Sequence, residues 1–289
     1  MYPADFDYYR AGSVREAIDL LGVHEGAELL AGGHGLFPLM KTREHSPAVL
    51  VDIGRVDGLS GVSVEGDTVS VGALTTHAEM AASDHLRDHA PALSDAAGEL
   101  GDFQVRNGGT FGGNVAHADP RSDPPAALLA LGGEVSVEGP DGERSIDVDD
   151  FFVGAFETAL DPGELVTAVS VPAHGPGETS AYVRYRNPLS GYALVGVGVT
   201  LRTAEGTVEA ARVAATGVRD APFRLESVET ALVGSTLDAD AVADAATMAA
   251  DGLDASDVQS DVQASGTYRL GVLPTYTRRA LSAAVERLD

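Results

Sequence analysis

The sequence predicts an α+β fold built twice over, in two separate halves, rather than the repeating strand–helix units of one parallel sheet. Three observations predict it. The stretch PAHGPGET at 172–179, rich in Pro and Gly, interrupts the chain. Beyond it, runs of strand character come first and runs of helical periodicity follow. Before it, short strands and helices mix without a regular period. A length of 289 residues suits two domains of ~100–200 residues each.

The elements read in order. Residues 13–21, SVREAIDLL, start with a Ser N-cap and carry Glu16 three residues on, as in a capping box. Val14, Ala17, Ile18 and Leu21 then form an apolar helical stripe. Glu28–Ala31 and Ala48–Asp52 read as short strands, the first ended by Gly32-Gly33. Thr68–Gly72 reads as a strand, Thr76–Ser83 as a helix, and Pro91–Leu100 as a helix with Pro in its first turn. Pro124–Leu131 is a short apolar helix and Glu134–Glu138 a strand. The turn Asp161-Pro162-Gly163 feeds strand Leu165–Val171. Past the boundary, strands are expected at Ala181–Arg186, Tyr192–Arg202 and Val208–Gly217, with a hairpin turn at Glu205-Gly206. Helices are expected at Arg224–Val233, Ala239–Asp251 and Thr275–Leu288.

Composition narrows the function. With 44% hydrophobic residues the chain can bury a large core, and no apolar run approaches the ~20 residues of a membrane span. The start, MYPADFDYYRAGSV, lacks the basic and apolar regions of a signal peptide, so a cytoplasmic location is expected. There are no cysteines, which excludes disulfides, thiolate nucleophiles and Cys-ligated iron–sulfur clusters in this chain. The formal charge is −25 and Lys41 is the only lysine, a balance that opposes nucleic-acid binding. It fits a halophilic enzyme, since salt screens the self-repulsion of an acidic chain.

Two glycine-rich segments stand out. Ala31-Gly32-Gly33-His34-Gly35 follows a strand directly, and Thr110-Phe111-Gly112-Gly113-Asn114 lies inside RNGGTFGGNVAHADPRSDPP at 106–125. Glycine lets backbone N–H groups approach a ligand closely, and successive inward N–H groups bind anions without a cationic side chain. Either loop alone reads as a tight turn. The two together, with polar residues around the second, point to a nucleotide with two phosphates. Neither matches G-x-G-x-x-G, and in Gly35–Thr42 Met40 replaces the second glycine of a P-loop, which leaves Lys41 as a solvated or locally paired cation.

His117, Asp119 and Asp123 have no recognised metal spacing, and no metal is expected. Instead, one of the two aspartates would cap the next helix and the other accept from a ligand ring N–H, in a loop held rigid by Pro120, Pro124 and Pro125. The eight histidines are dispersed, most of them expected at the surface, and no residue reads as a catalytic base or nucleophile.

These residues resemble a known family. AGGH at 31–34, TFGGN at 110–114 and AHADP at 116–120 are similar to the flavin-binding signatures of the FAD-binding medium subunit of molybdenum hydroxylases, of the carbon monoxide dehydrogenase and xanthine dehydrogenase type. The resemblance extends over nearly the whole chain, through FDYYRAGSVREAIDLL, Asp161–Leu165 and YALVGV at 192–197.

It implies a vanillyl-alcohol-oxidase-like FAD-binding domain at 1–175, with subdomains at about 1–57 and 58–175. A C-terminal domain at 176–289, a three-stranded antiparallel sheet with helices, would pack beside it. Ala31, Gly32, Gly33, His34 and Gly35, with Thr110, Gly112, Gly113 and Asn114, would cradle the FAD pyrophosphate. Asp123 would sit near the polar edge of the flavin ring, Leu165 would pack on it, and Tyr192 would approach it. Arg184 falls where relatives carry a lysine, and Gly35 where they carry a serine. The lost hydroxyl would cost one phosphate hydrogen bond, a net ~0.5–1.5 kcal/mol.

The implied partners are a molybdopterin-binding large subunit and a [2Fe–2S] small subunit, in a dimer of heterotrimers. The implied acceptor is NAD, a quinone or oxygen. Two other readings fit the sequence: a stand-alone flavin oxidase of the same fold, and a non-redox nucleotide-binding protein.

Overall fold

A computed structural model of the chain describes residues 2–288. Strand β1 (Asp7–Arg10), helix α1 (Val14–Val23), strand β2 (Ala27–Leu30), helix α2 (Leu36–Thr42) and strand β3 (Val49–Asp52) come first. They form a βαβαβ unit whose sheet has the order β1-β3-β2, both pairs parallel. The parallel sheet was not expected. Every residue of β1 is exposed, so its sequence lacks the alternation that marks a strand. The cap of α1 departs by one residue from a true capping box: Ser13 accepts from the Glu16 amide, but the Glu16 carboxylate takes the amide of Gly12. Helix α2 occupies the stretch compared above with a P-loop, with Pro38 in its first turn and Lys41 exposed.

The next elements are β4 (Val62–Glu65), β5 (Thr68–Gly72) and six helices: α3 (His77–Ala82), α4 (Asp84–His89), α5 (Pro91–Glu99), α6 (Phe103–Gly108), α7 (Phe111–His117) and α8 (Asp123–Leu131). Then follow β6 (Glu134–Gly139), β7 (Gly142–Asp147), α9 (Val148–Phe151), the short pair β8 (Phe152–Gly154) and β9 (Glu157–Thr158), and β10 (Leu165–Pro172). The sheet order is β4-β5-β10-β6-β7, with antiparallel pairs. The last strand of this stretch therefore lies at the centre of its sheet. Val69, Val71, Val135, Val137 and Val169 are buried together with Phe111 of α7 and the apolar residues of α8.

Two expectations change here. The segment Thr110–Asn114 is not a free loop: Thr110 is the N-cap of α7, and Phe111 to Asn114 are its first turn. Pro124 and Pro125 do not brace a loop, because both lie in the first turn of α8, where a missing N–H costs nothing.

The remaining elements are β11 (Glu178–Arg186), β12 (Ala193–Ala204), β13 (Thr207–Thr216), β14 (Phe223–Arg224), α10 (Glu226–Leu232), α11 (Ala239–Thr247) and α12 (Gly266–Val285). The sheet is antiparallel in chain order, and a two-residue fourth strand joins the three expected. The final helix starts at Gly266, about two and a half turns earlier than Thr275. Ser265 caps it by accepting from the Tyr268 amide, and its first turns carry the fully buried Arg269 and Leu273 around an interior Pro274. Helix α8 ties the halves together. All its residues are buried, and a Cβ on Gly198 of β12 would lie 2.7 Å from the carbonyl oxygen of Ala126. Glycine there lets helix and sheet meet backbone to backbone.

Candidate functional site

The two glycine segments meet. A Cβ on Gly32 would lie 2.1 Å from the Gly108 carbonyl oxygen and 2.9 Å from the Gly109 Cα, so the chains touch main chain to main chain. A Cβ on Gly113 would come within 3.7 Å of the Ala31 Cβ. Gly33 has φ +71°, and a Cβ there would strike the Phe37 ring at 2.5 Å. That position therefore demands glycine twice over.

Backbone bonds hold the second segment in place. Phe111 N–H donates to Thr75 O at 2.9 Å, Gly112 N–H to Ala73 O at 2.8 Å, and His77 N–H to Gly109 O at 3.1 Å. The N–H groups of Ala31 to Gly35 and of Gly113 are different: they find no backbone acceptor among the described residues. The hydroxyl of Thr110 is buried and likewise without a partner. The Thr110 hydroxyl is the buried one, and buried polar atoms left unpaired are rare in folded proteins and mark a place for a ligand; the amides lie on half-exposed or exposed residues and stand free to donate to one.

Both segments face one cleft of about 610 Å³. Leu165, Val166 and Ile53 give it an apolar wall, and Tyr192 stands at its rim. Tyr192 is 39% exposed, and the Arg121 guanidinium lies 4.4 Å from its ring centroid. Arg121 is itself matched by Asp119, through bonds of 3.0 and 2.9 Å. Asn114 accepts from the Ser122 hydroxyl at 2.8 Å, which joins α7 to the start of α8.

Asp123 lines the cleft but is almost wholly buried. One carboxylate oxygen accepts from the Tyr182 hydroxyl at 2.6 Å and the other from Arg184 at 2.8 Å. Burial pushes its acid up to about 6, against the opposing pull of Arg184 and Tyr182. Burial also holds the Tyr182 phenol well above its ordinary value. The expected helix cap is neither aspartate: Ser122 is the N-cap of α8, Asp123 is its first residue, and Asp119 binds Arg121.

Of the expected cofactor-binding residues, all but Arg184 line the cleft. Arg184 lies one layer behind, where it also meets the Glu99 carboxylate at 3.3 Å and the Gly191 carbonyl at 2.8 Å. Gly35 has a local reason: a Cβ there would lie 2.8 Å from the His117 ring, which fills the space a serine side chain needs.

Sequence reasoning missed Tyr182, whose hydroxyl fixes Asp123, and did not single out His77 among the dispersed histidines. His77 is 1% exposed, lines the cleft, and has a buried Nδ1 without a partner. Thr76 with Glu79, a capping box, marks His77 as the first residue of α3 but carries no signal of its burial.

An α+β chain that sets free amides and a buried unpaired hydroxyl on one partly apolar cleft is built for a nucleotide cofactor, and those donors suit a diphosphate. Residues 4–174 match the family described as FAD binding domain in molybdopterin dehydrogenase, and residues 180–284 match the CO dehydrogenase flavoprotein C-terminal domain. The carbon monoxide dehydrogenase medium chain of Hydrogenophaga pseudoflava is 36% identical over 288 residues, 99% of both chains. The glyceraldehyde dehydrogenase medium chain of Sulfolobus acidocaldarius is 36% identical over 280 residues, 97% of this chain and 98% of that one. Among solved structures, the H. pseudoflava carbon monoxide dehydrogenase lacking the Mo-pyranopterin moiety of its cofactor superposes with a TM-score of 0.94 at 37% identity, covering 99% of each chain. The chain belongs to the FAD-binding medium subunits of the molybdenum hydroxylases. It is an oxidoreductase subunit and its cofactor is FAD. No helix among the described residues is long and apolar enough to cross a membrane.

Proposed function

We propose that this chain is the electron-transfer subunit of a molybdenum hydroxylase. It takes electrons from [2Fe–2S] clusters in a small partner and passes them to NAD, a quinone or oxygen. A molybdopterin-binding large partner oxidises the substrate and selects it, and the complex is a dimer of heterotrimers in a salty cytoplasm. The carrying observation is the convergence of the unpaired amides of Ala31–Gly35 and Gly113 on one cleft.

In this reading the amides from Ala31 to Gly35 and that of Gly113 donate to the FAD diphosphate, and the Thr110 hydroxyl adds a further donor. Gly112 and Asn114 hold the first turn of α7 in position. Leu165 packs on the flavin ring, Tyr192 covers it from the rim, and Asp123 stands at its polar edge. Arg184 acts through Asp123, whose carboxylate it keeps charged and oriented. When bound, FAD supplies a redox centre that accepts electrons singly and releases them in pairs. The protein supplies position, a dry apolar wall and fixed dipoles, and no side chain is required as acid or base.

The cofactor domain spans 1–175, divided near 57, and the domain at 176–289 closes its back through α8. Purified chain is expected to bind FAD stoichiometrically yet oxidise no aldehyde, purine or carbon monoxide until both partners are added. Turnover by the isolated chain contradicts this assignment.

A further inference from the structure

Among the described residues, the cleft that takes a diphosphate has no lysine or arginine in its lining, and three carboxylates stand on its wall: Glu28, Asp119 and Asp123. The chain as a whole carries −25. Lys41 lies exposed on α2 outside the lining, and Arg121 is neutralised by Asp119. Backbone dipoles meet part of the anion's charge, but among the described residues the only lining side chains that can become cationic are histidines.

Two of them flank the meeting point of the glycine segments. His34 Nε2 lies 2.5 Å from where a Cβ on Gly108 would be, and His77 Cδ2 lies 3.1 Å from where one on Gly109 would be. His77 is buried with its Nδ1 unpaired. An apolar residue would fill that space without leaving a polar atom stranded, so the imidazole needs another explanation.

The charged groups around His77 are committed elsewhere. On its own helix, Glu79 caps Thr76. On α5, Asp95 pairs with Arg287 and Glu99 with Arg184. On α6, Arg106 donates to the carbonyls of Leu100 and Gly101. On the cleft wall, Glu28 binds His45, and His117 packs on Phe156. His34 is the neighbour whose charge His77 feels.

Given the FAD assignment, we propose that His77 is a further cofactor-binding residue which, with His34, takes up a proton when the diphosphate binds and supplies the cleft's missing positive charge. Without a ligand, burial and then His34 hold the His77 imidazolium down to about 4, so this imidazole is uncharged until an anion arrives. The proton comes from solvent and stays on the imidazole, so binding is linked to pH and tightens as pH falls.

Calorimetric titration of FAD into the full chain, in two buffers of different ionisation enthalpy, tests this directly. Net proton uptake is expected, with affinity about tenfold tighter near pH 6 than near pH 8. In the H34Q/H77Q variant both the uptake and the pH dependence should vanish. The H34Q variant alone changes an exposed residue and should lose part of each. In wild type, the imidazole nitrogen signals of His77 should move toward the protonated form on FAD addition.

Binding without proton uptake, or with unmoved His77 signals, overturns the proposal while leaving the FAD assignment intact. Uptake that persists in the double variant also overturns it and assigns the proton to another lining group, His117 or a carboxylate such as Asp123. A chain that takes no FAD at any pH overturns both.

Discussion

At the scale of residues, the cleft depends on atoms that are absent as much as on those present. Gly32 sits against Gly108 so closely that one methyl group must separate the two segments. Gly32→Ala should therefore weaken FAD binding at least about tenfold and destabilise the fold by about 1–3 kcal/mol. Flavin fluorescence titration and urea unfolding measure the two effects.

Asp123 makes a different prediction. Its acid is raised from 3.8 to about 6 in the folded chain, so between these values the native state holds a proton that the unfolded state releases. The stability it contributes is full below about pH 4 and is lost as pH rises through about 6. Melting curves of wild type and Asp123→Asn should thus diverge between about pH 4 and 6, with wild type losing ground as pH rises, and run parallel above. Parallel behaviour throughout would show that Arg184 fully offsets the burial.

At the scale of elements, α8 is the seam between the halves. Gly198 lets β12 lie directly on Ala126, and a side chain there must push strand and helix apart. Gly198→Val is expected to cost about 1–3 kcal/mol, read from the urea midpoint, with a broader transition if the halves begin to unfold separately.

Elements with strong local signals were legible in the sequence. β5 and β10 show alternating or continuous β-branched runs, and α1 announces itself with Ser13 and Glu16. β1 was not legible, because an exposed edge strand has no buried face to impose a pattern. The start of α12 was hidden by Pro274 and by Arg269, a buried cation that reads as a surface residue until its partners appear. Those partners are the carbonyls of Leu194 and Gly217 and the carboxylate of Asp261. The glycine segments were legible as places where bare backbone is needed, and both line one cleft, but the helical first turn at Phe111–Asn114 was not legible, since paired glycines argue against a helix. His77 escaped for a related reason: burial of a polar residue is set by tertiary contacts with Gly109.

At the scale of the whole molecule, charge is the dominant feature. A chain at −25 repels itself, and its halves are joined by arginine pairs: Arg287 with Asp95 at 2.8 Å, Arg212 with Asp149 at 2.6 Å, and Arg184 with Asp123 at 2.8 Å. Salt shortens the reach of repulsion from ~10 Å at 0.1 M to ~3 Å at 1 M, while short, partly buried pairs are screened much less. The melting temperature should therefore rise with KCl across that range. A fall would mean that the ion pairs matter more than the repulsion.

The central claim is that two distant glycine segments fold together to grip a diphosphate with backbone amides. A crystal structure of the chain loaded with FAD tests it most directly. The account predicts diphosphate oxygens within hydrogen-bond reach of the amides between Ala31 and Gly35 and of Gly113, with the flavin ring between Leu165 and Tyr192. A diphosphate held elsewhere, with those amides facing only water, would contradict it.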